Sequence, residues 1–159
     1  MISPNVNIFL ADDDKDDCLF FHEALEELQL QTTLTAVHDG EQLMQLLNKK
    51  TDGNPDVLFL DLNMPRKNGV TCLEEIKRSE KLKSLPVIVF STSYDESIAN
   101  LLYKNGAQHY ICKPADFSEL KKIIHQALTL TTQSHGERSR TTQPSKENFL
   151  LNTLKAIIL

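Results

Sequence analysis

Apolar positions along this chain fall into short continuous runs that alternate with stripes of helical spacing. Val57, Leu58, Phe59 and Leu60 form one such run, bounded upstream by Asp52, Gly53, Asn54 and Pro55. A run this short, apolar at every position and enclosed by turn residues, predicts a strand buried on both faces. Similar runs over 6–11, 33–37, 87–90 and 110–112 predict four more strands. Between them lie stripes with three- and four-residue spacing: Phe21, Leu25 and Leu28 within 15–30, Leu43, Met44 and Leu47 within 41–50, and Val70, Leu73 and Ile76 within 68–79. A weaker helix is predicted over 95–104, stopped by Gly106. The clearest spans 116–130, with Leu120, Ile123, Ile124, Ala127 and Leu128 on one face. Asp14 is placed to cap the first helix, whose positive end Asp16 and Asp17 suit. Five strand–helix alternations predict an α/β fold: a doubly wound parallel sheet with helices on both faces and right-handed crossovers.

The pattern changes after residue 130. The stretch TTQSHGERSRTTQPSK, 131–146, has no large apolar residue and reads as a polar, flexible linker. In ENFLLNTLKAIIL, 147–159, Leu150, Leu151, Leu154, Ile157 and Ile158 fit one face of a helix. The expected organisation is an α/β domain over 1–130, a linker over 131–146 and a short amphipathic helical appendage over 147–159. That helix is too short to cross a bilayer and marginal on its own. It should therefore seek an apolar surface, on its own domain near the fourth and fifth helices or on a second copy.

Charge narrows the function classes. The net charge is −5 and no Lys/Arg block occurs, which argues against a nucleic-acid or anionic-membrane surface. Cys18, Cys72 and Cys112 show no metal spacing and read as reduced thiols of a cytoplasmic protein. The amino-terminal segment lacks the basic start of a signal peptide.

Chemistry concentrates where the predicted strands end. The first strand ends in Asp12, Asp13 and Asp14, the third in Asp61, the fourth in Ser91, and the fifth in Lys113 followed by Pro114. Open α/β sheets bind ligands beyond the carboxyl ends of their strands. Clustered carboxylates repel unless a cation or proton intervenes. A hard divalent ion such as Mg²⁺ takes oxygen ligands and needs only one or two carboxylates together with phosphate oxygens. A neighbouring lysine and a hydroxyl suit phosphoryl oxygens. Together these groups describe phosphoryl transfer to a carboxylate.

With the acid pair in FLADDD, Asp61 in LDLNMP, Ser91 in VIVFSTS and Lys113-Pro114 in YICKP, residues 5 to about 130 resemble the CheY-like receiver domain of two-component response regulators. The resemblance implies a flavodoxin-like fold with strand order 2-1-3-4-5. It implies Asp61 as phosphoacceptor, with Mg²⁺ held by Asp13 directly, by Asp12 through water, by Asp61 and by the backbone carbonyl of Asn63. Lys113 would pair with the phosphoryl group and Ser91 would move to hydrogen-bond it. Tyr110 would swing inward with Ser91, and Pro114 would follow a cis peptide bond. The implied partners are a sensor histidine kinase or phosphotransfer protein and a downstream protein target, with a homodimer through the helix-4/strand-5/helix-5 face or the C-terminal helix. No independent enzyme activity is implied beyond self-phosphorylation and autodephosphorylation. Asn68-Gly69 and the STS-YDES segment resemble receivers paired with phytochrome-type kinases. Two other readings stand beside this one. Asp12 and Asp14 spell the D-x-D of haloacid-dehalogenase-type phosphatases, which leaves Asp61 and Lys113 unexplained. A pseudo-receiver would share the fold without being phosphorylated, which the complete acid–lysine–hydroxyl set disfavours.

Overall fold

The computed structural model describes residues 5–49, 54–136 and 143–152. In chain order the elements are β1 (Val6–Ala11), α1 (Lys15–Leu28), β2 (Thr32–Val37), α2 (Gly40–Leu47), β3 (Val57–Leu60), α3 (Gly69–Arg78), β4 (Val87–Ser91), α4 (Glu96–Lys104), β5 (His109–Cys112), α5 (Phe117–Gly136), α6 (Lys146–Phe149) and β6 (Leu150–Leu151). The strands form one sheet in the order β2-β1-β3-β4-β5-β6, and every pairing is parallel. This is the doubly wound parallel sheet that the alternation predicts, in the flavodoxin-like strand order that the family resemblance implies, with one strand added at the β5 edge.

Local chemistry accounts for the boundaries. Asp14 caps α1, accepting hydrogen bonds from the backbone N–H groups of Asp16 and Asp17, and Asp39, Asn68 and Asp95 cap α2, α3 and α4 in the same way. Gly106, at φ +99°, ends the turn after α4, where a side chain would be strained.

All four residues of β3 and all five of β4 are buried, as expected of strands covered by helices on both faces. One apolar cluster joins Leu58, Leu60, Val87 and Val89 to α2, α3 and α4. The other joins Val57, Phe59, Ile88 and Phe90 to α1 and α5. In the second, the rings of Phe21, Phe59 and Phe90 meet edge to face at 4.9–6.2 Å, tying α1 to the two central strands.

The C-terminal region departs from its expected form. α5 continues through Gly136, into the stretch expected as linker, with Thr131 buried and its hydroxyl bonded to the Ala127 carbonyl. Beyond it, the expected 147–159 helix is replaced, over its described part, by one helical turn and two strand residues. Leu150 and Leu151 pair with Tyr110 and Ile111 of β5. The physical reason is the open β5 edge, whose unpaired backbone groups a two-residue strand can satisfy. Residues 153–159, including Leu154, Ile157 and Ile158, lie outside the described residues.

A cluster of carboxylates around a buried lysine

Backbone register brings the strand ends together. The amide of Asp61 donates to the Ala11 carbonyl at 2.9 Å, that of Asp12 to Val37 at 3.0 Å, and that of Lys113 to Ser91 at 2.8 Å. The first residues beyond β1, β3 and β5 therefore stand side by side at one end of the sheet. Behind them, Gly69 opens α3 so close to the loop that an added Cβ would lie 2.3 Å from the Asp61 carbonyl oxygen. Only glycine lets α3 seat that tightly behind the acid.

Asp12 is fully buried and Asp61 nearly so, whereas Asp13 faces solvent. Oxygens from these three carboxylates lie within 4.8 Å of one another. Two of the acids are held by backbone donors: Asp12 Oδ1 accepts from the Asp14 N–H at 2.9 Å, and Asp61 Oδ1 from Leu62 N–H at 2.8 Å. Their Oδ2 atoms face the ammonium of Lys113, at 2.6 Å from Asp12 and 3.9 Å from Asp61. The Asp12 contact is an ion pair without hydrogen-bond alignment, so Asp12 Oδ2 is a buried acceptor lacking a hydrogen-bond donor. Such an oxygen among hard carboxylate donors fits a divalent cation of the Mg²⁺ or Mn²⁺ type.

The electrostatics follow from burial. Desolvation raises the Asp12 carboxyl pKa, opposed by the Lys113 ammonium and the Asp14 N–H. Desolvation and then the charge of Asp12 raise that of Asp61, again opposed by Lys113. For Lys113 burial acts to lower the pKa, but its close contacts with the Asp12 and Asp17 carboxylates and the nearby charge of Asp61 reverse it, and the net shift is upward. The ammonium stays charged and leaves the acid pair short of full neutralisation.

The other predicted residues take distinct places. Ser91 is buried at the end of β4 with its hydroxyl toward Ser93: Oγ accepts from the Ser93 N–H at 3.3 Å and meets Ser93 Oγ at 3.4 Å. Tyr110 is buried rather than swung out. Its hydroxyl donates to the Ser93 carbonyl and burial pushes its pKa up to about 12. Asn63 is exposed two residues beyond Asp61. Asp14 belongs to the α1 cap, which removes it from a D-x-D pair with Asp12. The expected cis bond before Pro114 is corrected: the Lys113–Pro114 peptide is trans. For a bond preceding proline, trans is favoured by about 0.5–1 kcal/mol, and Lys113 reaches its carboxylates from that isomer.

Asp17 is the residue that sequence reasoning missed. It reads as an ordinary acid in the first turn of a helix, yet Lys113 Nζ donates to its Oδ2 at 2.8 Å. The available signal is its place in the first turn of α1, on the element that immediately follows the Asp12 strand end.

Comparison with known proteins agrees with this geometry. The family profile described as the response regulator receiver domain matches residues 8–125. The chain is 30% identical over 122 residues to the probable methanogenesis regulatory protein FilR2 of Methanothrix harundinacea, covering 75% of this chain and 79% of that protein. It is 30% identical over 126 residues to the response regulator Rcp1 of Synechocystis, covering 77% and 86%. Among solved structures, the phosphorylated cyanobacterial phytochrome response regulator RcpA superposes with a TM-score of 0.75 at 32% identity, over 89% of this chain and all of that one. The Mn²⁺-bound form of Rcp1 gives 0.68 at 27% identity, over 88% and 99%.

Proposed function

The chain belongs to the response regulator receiver domain family, and from that premise we propose that it accepts a phosphoryl group on Asp61 from a histidine kinase or phosphotransfer protein in the cytoplasm. The observation that carries this reading is the pairing of Asp61, at the end of the central strand, with a buried lysine and two further acids. A divalent cation, Mg²⁺ in this reading, would be held by Asp12, Asp13, Asp61 and the Asn63 carbonyl, and would supply charge neutralisation. Asp61 Oδ2 attacks phosphorus, a new O–P bond forms, and the donor's P–N or P–O bond breaks with its electron pair leaving on the donor. Lys113 balances the charge that builds on the phosphoryl oxygens. Ser91 then turns from Ser93 to donate its hydroxyl to one of them.

Signalling would follow from that turn. Ser91 and Tyr110 both bond to Ser93, so moving one disturbs the other's partner and the α4–β5–α5 face on which Tyr110 lies. That face is the proposed contact for a downstream protein or a second copy. The likeness to the cyanobacterial phytochrome response regulator RcpA favours a phytochrome-type kinase as donor. Leu19 and Phe20 are exposed on α1 and offer a donor protein an apolar footing beside the site. The test is incubation with Mg²⁺ and acetyl phosphate. A hydroxylamine-labile phosphoryl adduct on wild type, absent from Asp61→Asn, is expected; labelling of that variant would reject the assignment.

A further inference from the structure

The Lys113 ammonium has three protons and three carboxylates around it, and the three contacts differ. The aligned hydrogen bond goes to Asp17 Oδ2 at 2.8 Å. The Asp12 contact at 2.6 Å lacks alignment, and Asp61 stands off at 3.9 Å. The lysine side chain is 8% exposed, whereas Asp17 is 29% exposed and lies outside the group of acids whose oxygens converge within 4.8 Å. The face of Phe90 lies 5.4 Å from Nζ on the inner side. Asp17 therefore holds the lysine by a tether independent of the converging acids.

We propose that Asp17 is a positioning residue for Lys113: it gives the ammonium, at the edge of the carboxylate cluster, an anchor that does not depend on Asp12. This rests on the reading of Asp61 as acceptor. The reason is competition. Asp12 Oδ2 is wanted both by the ammonium and by any cation shared with Asp13 and Asp61. A lysine anchored only to Asp12 would have to surrender that oxygen and lose its own position. Anchored to Asp17, it keeps a charge-assisted bond whichever partner Asp12 takes. A bland role for Asp17 also exists, as one of two acids at the positive start of α1 beside Asp16. Asp16, exposed and in the same turn, is the control.

The test uses the full chain with Mg²⁺ and acetyl phosphate, comparing wild type, Asp16→Asn, Asp17→Asn, Lys113→Ala and the double variant Asp17→Asn/Lys113→Ala. Asp17→Asn should lower kcat/KM for phosphorylation by on the order of tenfold, as expected for loss of a partly shielded charged partner. Asp16→Asn should match wild type, and Asp17→Asn should have no further effect once Lys113 is alanine. Nitrogen-15 NMR of the lysine ammonium groups gives a readout independent of activity. In wild type with Mg²⁺ the Lys113 resonance should persist through slow proton exchange, and in Asp17→Asn it should be lost, but not in Asp16→Asn. Equal kinetics and equal ammonium spectra for the Asp16 and Asp17 variants would overturn the proposal, as would an equal rate loss in the presence and absence of Lys113. If wild type takes no phosphoryl group, the acceptor reading falls, and the ammonium spectra still decide whether Asp17 holds the lysine.

Discussion

At the scale of single residues, two acids that oppose folding mark this site. Asp12 and Asp61 are buried and near each other, and both carboxyl pKa values are raised above 3.8. In the metal-free protein the native state thus retains protons that the unfolded chain releases. Their contribution to stability is present at acid pH and is lost as pH rises from about 4 through the raised values. Without a cation, Asp61→Asn should stabilise the fold by about 1–2 kcal/mol at pH 8, or several degrees in Tm, and flatten this part of the pH profile. Saturating Mg²⁺ should erase that advantage. Thermal melts at pH 5.5 and 8 in EDTA and in Mg²⁺ check this; an Asp61→Asn variant less stable than wild type in EDTA would contradict it. A separate residue-level expectation concerns Phe20, 47% exposed on α1. Phe20→Ala should slow phosphotransfer from a phosphohistidine protein about tenfold, a loss within the range for an interface aromatic, while leaving the acetyl phosphate rate alone. Equal loss with both donors would place Phe20 in the chemistry instead. Asp12, Asp13, Asp61, Ser91 and Lys113 were legible in the sequence because each follows an apolar strand run. The Asp17 contact was not, since helix-start acids are common and only the tertiary packing that sets α1 against α5 brings this one to Lys113.

At the scale of elements, the C-terminal segment is where periodicity misled. Leu150 and Leu151 fit a helical stripe, but two apolar residues also fit a short strand, and a sequence pattern cannot show which edge is open. In the structure the segment is pinned along α4 and β5. Gln143 Nε2 donates to the Tyr103 and Ala107 carbonyls at 2.6 and 2.7 Å, and the Tyr103 hydroxyl donates to the Pro144 carbonyl at 2.8 Å. Phe149 is buried against the rings of Tyr103 and Tyr110, at 5.1 and 6.4 Å. Phe149→Ala should cost roughly 2–4 kcal/mol, at or just below the range for a core aromatic because the site is at a sheet edge, with a Tm drop of several degrees. Deleting residues 143–159 should lower Tm at least as far. Unchanged melting in both would mean that the segment does not hold this place in solution. Because Phe149 touches the residue read here as the switch, the same variant should also alter the chemical shifts of Tyr110 on addition of beryllofluoride.

At the scale of the whole molecule, the alternation of buried strands and striped helices accounts for the architecture. Two apolar clusters, one on each face of the sheet, leave the strand ends as the place where charge collects. The sequence order of motifs was enough to locate that end, because a parallel sheet brings every strand's carboxyl terminus to the same side. Among the described residues no helix is long and apolar enough to cross a membrane. The central claim is that Asp61, alone among the clustered acids, forms the acyl phosphate. Borohydride reduction after incubation with Mg²⁺ and acetyl phosphate, followed by peptide mass mapping, tests it directly. An acyl phosphate is reduced to an alcohol, so homoserine should appear at position 61 and at neither Asp12 nor Asp13. Homoserine at either of those positions, or none at 61 in protein that carries phosphate, would contradict the account.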